Sequence, residues 1–171
     1  GVQVVVAPQL FPTPRDLAQR MAEKLGVQPG DRILEPSAGT GRLVDALDAF
    51  PDVSVTAVEI SNTLADGLRA RSRTTLDLHI ADFLQCNGDL GTFDRIIMNP
   101  PFANGADIKH VKHALTMLKP GGRLVAICAD GPRQQRELAP LGEWTRLPPG
   151  TFEESGTGVN TAMLVINREA S

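Results

Sequence analysis

Cysteine is scarce in this 171-residue chain: the two present, Cys86 and Cys128, stand far apart and lack the spacing of metal ligands. A disulfide-stapled fold is therefore not expected, and a reduced, cytoplasmic protein is. Long apolar runs are missing as well. None approaches the roughly 20 residues that cross a bilayer, and the N-terminus lacks the basic-then-apolar layout of a secretory signal, so no membrane role is expected. Positive charge is not in surplus, since the formal net charge is −3. A domain that grips nucleic acid chiefly through phosphates usually carries a basic excess. Two local groups, Arg69/Arg71/Arg73 and Arg133/Arg136, run against that balance, and solvated helix ends are their simplest reading. Histidine is rare too: His110 and His113 lie three apart on a predicted helix with only His79 elsewhere, too few ligands for zinc, and no metal is expected.

What is present is an ordinary globular balance, 42% hydrophobic and 22% charged. The length fits a single domain over 1–171, with 1–10 as an N-terminal extension or short edge strand. Short apolar runs alternate with amphipathic stretches. Thr13-Pro14-Arg15-Asp16 supplies an N-cap, a proline at the first helical position and an acid in the first turn; Leu17, Met21 and Leu25 follow on one face, and Gly26 stops the helix. Strands are predicted at 32–35, 53–59, 76–80, 93–98 and 123–128, with a final pair at 145–147 and 161–166. Helices are predicted through Leu43–Leu47, after the Ser61 cap, from Asp107 to Leu118 before Lys119-Pro-Gly-Gly122, and after Pro132. Such alternation demands a mostly parallel sheet with helices on both faces, whose ligands bind outside the carboxyl ends of the strands.

The chemistry-bearing motifs fall at those ends. Glu35-Pro36-Ser37-Ala38-Gly39-Thr40-Gly41 follows a strand and opens a helix, so small residues allow close backbone approach to a ligand near a positive helix end. Nicotinamide and flavin enzymes use similar turns, but their pattern wants a third small residue where this chain has Arg42, Leu43 and Val44. Glu59 ends the second strand, where a carboxylate can accept from ribose hydroxyls. Asp82 follows the third, in position to accept from an adenine amino group, with Phe83 beside it to pack on the purine.

Asn99 follows the fourth strand, and Pro100 and Pro101 stop the ladder behind it. The Asn99 side-chain oxygen and the Pro100 carbonyl can together accept both hydrogens of one exocyclic amino group. Holding those hydrogens localises a lone pair that is otherwise delocalised, which is catalysis by positioning and preorganised polarity. Phe102 offers an aromatic face for a flat substrate.

With these motifs the chain resembles a class I S-adenosylmethionine-dependent methyltransferase of the amino-methylating, N6-adenine branch, marked by an Asn/Asp-Pro-Pro-aromatic signature. The resemblance covers about Phe11 to the C-terminus. It implies a Rossmann-like α/β fold, a seven-stranded mostly parallel sheet in the order 3-2-1-4-5-7-6 with the last strand antiparallel, and S-adenosylmethionine as cofactor. It assigns Asn99, Pro100, Pro101 and Phe102 to catalysis. It assigns to cofactor binding Thr13 and Pro14 at the methionine end, Glu35, Pro36, Ser37, Ala38, Gly39 and Gly41 in the turn, Glu59 with Ile60 at the ribose, Asp82 with Phe83 at the adenine, and Asn99.

Sequence-specific DNA methyltransferases usually carry a separate target-recognition region, and no stretch here is long enough for one. The loop 104–109 and the hairpin 152–160, with Glu153, Glu154 and Asn160, are the candidates to touch a substrate; a mobile surface hairpin is the plainer expectation for the latter. The favoured reading is N6-adenine methylation of DNA, a nucleic acid substrate with DNA ahead of RNA, with a separate specificity subunit as a partner. The alternatives are an RNA base, a protein glutamine amide, or a non-catalytic cofactor-binding subunit of a larger methylase.

Overall fold

The computed structural model describes residues 11–71 and 75–170; the candidate strand at 2–6 and Arg73 lie outside them. The seven strands are β1 (Arg32–Glu35), β2 (Ser54–Glu59), β3 (Leu76–Ile80), β4 (Phe93–Met98), β5 (Leu118–Ala129), β6 (Glu143–Arg146) and β7 (Thr161–Asn167). They form one sheet in the order β3-β2-β1-β4-β5-β7-β6, as expected. β1 pairs in parallel with both β2 and β4, and β7 runs antiparallel to both of its neighbours. The helices are α1 (Arg15–Leu25), α2 (Arg42–Ala46), α3 (Asn62–Arg69), α4 (Ala106–Leu115) and α5 (Pro132–Glu137). No helix among the described residues is long and apolar enough to cross a membrane.

Period-two alternation splits the core into layers on the two faces of the sheet. In β5, Val125 and Ile127 join the layer that holds Leu17, Met21 and Leu25 of α1. Their neighbours Leu124, Ala126 and Cys128 point the other way, among Ile108, Val111 and Ala114 of α4. In β4, Ile97 goes to the first layer, and Ile96 and Met98 to the second. Both faces of the central strands are covered, which is why β1 is apolar on consecutive residues rather than alternate ones.

Two boundaries differ from the sequence reading. Pro14, expected at the first helical position, is the N-cap of α1, with ψ 143. Its carbonyl accepts the first helical bond, from the Ala18 amide at 2.9 Å. Thr13, expected to cap, spends its hydroxyl on Asn99 instead.

The second difference lies at Lys119-Pro-Gly-Gly122, read as the turn between α4 and β5. α4 ends at Leu115, and this run sits inside β5 as a bulge. Phe93 pairs with Leu118 and Arg95 with Arg123, so four residues of β5 stand opposite the single residue Asp94. The backbone of the bulge finds partners in the chain beyond β7: the Gly121 amide donates to the Arg168 carbonyl at 2.9 Å, and the Arg168 amide to Gly122 at 2.9 Å. A Cβ at Gly122 would stand 2.8 Å from the Asp94 carbonyl oxygen and 2.9 Å from that of Lys119. Gly122→Ala is therefore expected to cost about 1–3 kcal/mol by overpacking, read as a lower urea midpoint at an unchanged slope.

Candidate functional site

Because β1, β2, β3 and β4 run parallel, their carboxyl ends meet at one edge of the sheet. Over that edge opens a cleft of about 580 Å³ lined by, among others, Pro36, Ser37, Glu59, Ile60, Asp82, Phe83, Asn99 and Pro101. A second hollow, about 260 Å³, is lined by Thr13, Ser37, Ala38, Gly39, Arg42 and Asn99. Ser37 and Asn99 belong to both, so the two form one trough across the end of β1. The structure thus brings together most of the residues picked from sequence. Glu35 and Gly41 shape the turn beneath the trough, and Pro14 caps α1 beside it.

Glu59 is the pivot of this edge. One carboxylate oxygen accepts from the Gly39 amide at 2.8 Å, the other from the Ser61 amide at 2.7 Å. Each oxygen keeps a further lone pair, so Glu59 is held rigidly and can still accept from a ligand. The turn it holds needs left-handed backbone at Gly39 (φ 54) and Gly41 (φ 90). A Cβ on Gly41 would also strike the Arg71 guanidinium at 2.4 Å. Arg71, read as part of a solvated helix end, braces the turn instead: it bonds Asp45 at 2.7 Å and the Thr40 carbonyl at 2.6 Å.

Glu35 closes β1 with no exposed surface. One of its oxygens accepts from the Ser37 amide at 3.3 Å; the other has no partner among the described residues, and neither has the Ser37 hydroxyl. Burial pushes the Glu35 carboxyl well above the ordinary carboxylate range; the Ser37 amide opposes the shift and the Glu59 charge adds to it. An unpartnered buried acceptor is costly, and a cationic donor is the group that would relieve it.

Asp82 accepts from the Leu84 amide at 3.0 Å and so starts the short helical turn that carries Phe83. Phe83 reaches the cleft from a buried position, its ring edge-on to His113 at 4.9 Å. His110, read from sequence only as one of too few ligands for zinc, lines the cleft one turn into α4. Its Nδ1 is buried without a partner among the described residues. Burial lowers its pKa, Asp82 opposing and His113 reinforcing the shift. Arg42 stands in the sequence as a departure from the dinucleotide pattern. It lines the other hollow and donates to the Thr13 carbonyl at 3.3 Å. Arg42 directly follows the glycine turn, which is the signal that could have found it; His110 lies eight residues beyond Phe102, and no local pattern marks it.

Asn99 is anchored through its nitrogen. Nδ2 donates to the Phe11 carbonyl at 2.9 Å and to the Thr13 hydroxyl oxygen at 3.0 Å. A carbonyl can only accept, so the amide nitrogen must face it, and Oδ1 is left as the free edge. Phe102 differs from the expected open platform. It is only 8% exposed, stacks on Phe11 at 6.0 Å and meets the Phe152 ring edge-on at 5.9 Å. Its ring is spent on packing because the segment before α1 and the loop between β6 and β7 close over it. That loop, expected as a mobile hairpin, is fastened by fully buried Phe152 and by the Ser155 hydroxyl, which donates to the Pro12 carbonyl at 2.6 Å.

The strand order, the single antiparallel strand β7 and a glycine turn at the end of β1 define a class I S-adenosylmethionine-dependent methyltransferase domain. Residues 33–122 match the family model described as a methyltransferase domain, and the chain belongs to that family. Its cofactor is S-adenosylmethionine. Among curated proteins it is similar to the modification methylase CviBIII of Paramecium bursaria Chlorella virus NC1A, 33% identical over 54% of this chain and 26% of the methylase. It is also similar to protein-L-isoaspartate O-methyltransferase 2 of Rhodopseudomonas palustris, 32% identical over 67% of this chain and 52% of that one. The chain thus spans about a quarter to a half of the length of these relatives. A putative RNA methyltransferase of Pyrococcus horikoshii shares the fold, with a TM-score of 0.72, 18% identity, and coverage of 93% of this chain and 87% of that one.

The Glu35 environment gives a pH test of the ligand-free protein. With its folded-state pKa raised, the native state holds a proton that the unfolded chain has lost. Stability should therefore fall as pH rises from the ordinary carboxylate range through the raised value. Glu35→Gln should flatten that slope, leaving the variant at least as stable as wild type at pH 8, measured by urea unfolding at pH 5, 6.5 and 8. An identical pH slope in both proteins would show that Glu35 is not buried as an isolated acid.

Proposed function

We propose that this domain methylates a planar amino group, with adenine N6 in DNA as the first candidate. The observation that carries the reading is the tethered Asn99 amide. Both Nδ2 hydrogens are engaged by Phe11 and Thr13, so the catalytic edge presents an acceptor, Oδ1, rather than a donor. An acceptor edge suits a substrate that brings hydrogens, as an amino group does. A carboxylate, itself acceptor-only when ionised, would meet repulsion there. The relatives include both a modification methylase and a protein-L-isoaspartate O-methyltransferase, and this edge supports transfer to nitrogen over transfer to oxygen.

S-adenosylmethionine, when bound, supplies an electrophilic methyl group on a sulfonium. Two acids suit it: Glu35, buried beneath the turn, has an Oε2 without a partner among the described residues, which an α-ammonium would provide, and Glu59, which lines the cleft, retains acceptor capacity suited to ribose hydroxyls. Pro36, Ser37, Ala38, Gly39 and Gly41 form the floor between them, Thr13 and Pro14 close the methionine end, and Ile60, Asp82 and Phe83 line the adenine end. Asn99 Oδ1 and the Pro100 carbonyl accept the two hydrogens of the substrate amine, aiming its lone pair. Pro101 fixes the path of the loop, and Phe102 supports it from below by packing.

DNA is preferred because a modification methylase is among the relatives with which the chain shares its sequence. The single domain has no long insertion for target recognition, so a further segment or a separate subunit would supply specificity.

Tritiated cofactor offered in parallel to DNA, RNA and protein fractions should label DNA; label confined to protein would overturn the nucleic-acid preference, and label confined to RNA would move it to RNA. Asn99→Ala should lower turnover at least about a hundredfold, the loss expected for one preorganised electrostatic group, with S-adenosylhomocysteine affinity nearly unchanged. Glu59→Ala should weaken S-adenosylhomocysteine about tenfold or more, the value of a charge-assisted hydrogen bond, as measured by calorimetry. Full turnover in the first variant, or full affinity in the second, would refute the assigned role.

A further inference from the structure

We infer that Thr13 and Ser155 are positioning residues that, with the Phe11 carbonyl, hold the acceptor edge of the Asn99 amide toward the substrate. The inference rests on the reading that Asn99 Oδ1 accepts from a substrate amine, and it names what holds Oδ1 in that direction. A primary amide is nearly symmetric in shape, and rotation of its plane exchanges a double donor for an acceptor at little steric cost. Something must break that degeneracy.

Here the Phe11 carbonyl, which can only accept, does so at 2.9 Å, and the Thr13 hydroxyl, accepting at 3.0 Å, adds a second anchor on the same segment before α1. Thr13 is 4% exposed, so water cannot easily replace its bond. Residues 11–14 contain no regular structure of their own, and their place is set from the far end of the chain. Ser155 donates to the Pro12 carbonyl, between the two anchors, across 143 positions of sequence. Phe152, three residues earlier, packs edge-on against Phe102, which stacks on Phe11. The loop between β6 and β7 is thus a strap across the segment, and the segment orients the catalytic amide. Ser155 lines neither hollow of the trough, so its influence on turnover would pass through Pro12, Phe11 and Thr13.

Nitrogen-15 NMR of the full chain tests this without substrate. The Asn99 side-chain pair is identified as the one lost in Asn99→Asp, and its hydrogen exchange is compared with that of the exposed Asn160. Wild type should show Asn99 exchange at least about tenfold slower, as one bond's worth of protection gives. Thr13→Val should speed it several-fold, the Phe11 bond remaining, and Thr13→Ser should restore protection. Ser155→Ala should speed exchange several-fold, with Ser155→Thr restoring it. With tritiated cofactor and unmethylated mixed-sequence duplex DNA, Ser155→Ala should lower kcat more than it changes KM. Wild-type Asn99 exchanging as fast as Asn160, or exchange unmoved by Thr13→Val and Ser155→Ala, would overturn the inference. Protection reduced in both variants while Asn99→Ala stays fully active would uphold the orientation and refute the amine-methylation reading instead.

Discussion

Parallel pairing of β1 with β2 on one side and β4 on the other is the constraint from which the site follows. Parallel strands require crossovers, the crossovers bury both faces of the sheet, and every carboxyl end is left at the same edge. Glu35, Glu59 and Asn99 lie far apart in sequence and come together only because their strands finish side by side. The carboxylate of Glu59 then locks the arrangement, since its two oxygens tie the glycine turn after β1 to the start of α3. Loss of that carboxylate would leave the Gly39 and Ser61 amides without their partner as well as removing an acceptor from the trough.

The polar groups at this edge are unevenly satisfied, and the unevenness is informative. Asn99 and Glu59 are held by bonds that fix their geometry and leave an acceptor over. Glu35 has one buried oxygen with no partner, and its raised pKa expresses the cost of keeping it there as a charge. Asp107, like Glu35 without exposed surface, is bonded to the amides of Ile108 and Ala129 and to the Gln134 side chain, joining α4, β5 and α5. A buried carboxylate with several donors serves the fold, whereas one left short of donors marks a place where a ligand would complete the set.

Most of the scaffold could be read directly, because strand and helix periods alternate cleanly and glycines and prolines mark their ends. Ile33–Leu34, Val55–Val58 and Phe93–Met98 announced the buried strands, and Ser61 announced its cap. The bulge at Lys119–Gly122 could not be read, since proline and glycine signal a turn locally and only the register between Phe93 and Arg95 shows that the strand continues through it. At the site, the glycine turn, Glu59, Asp82 and Asn99 were legible as residue types at strand ends. Burial of the Phe102 ring, the strap through Ser155, the brace from Arg71 and the exposure of His110 to the cleft were not. Each depends on contacts between distant segments, 143 positions apart for Ser155 and Pro12, and no local pattern encodes them.

The central claim is that the acceptor edge of Asn99 selects an amine. The chemical stability of the transferred methyl group tests it directly, whatever molecule carries it. After reaction with tritiated cofactor the labelled product is held at mildly alkaline pH and the volatile counts are measured. Methyl on an exocyclic amine or an amide nitrogen stays with the macromolecule, and that is the result expected here. Methyl on a carboxylate is an ester and leaves as methanol; release of the label would contradict the account.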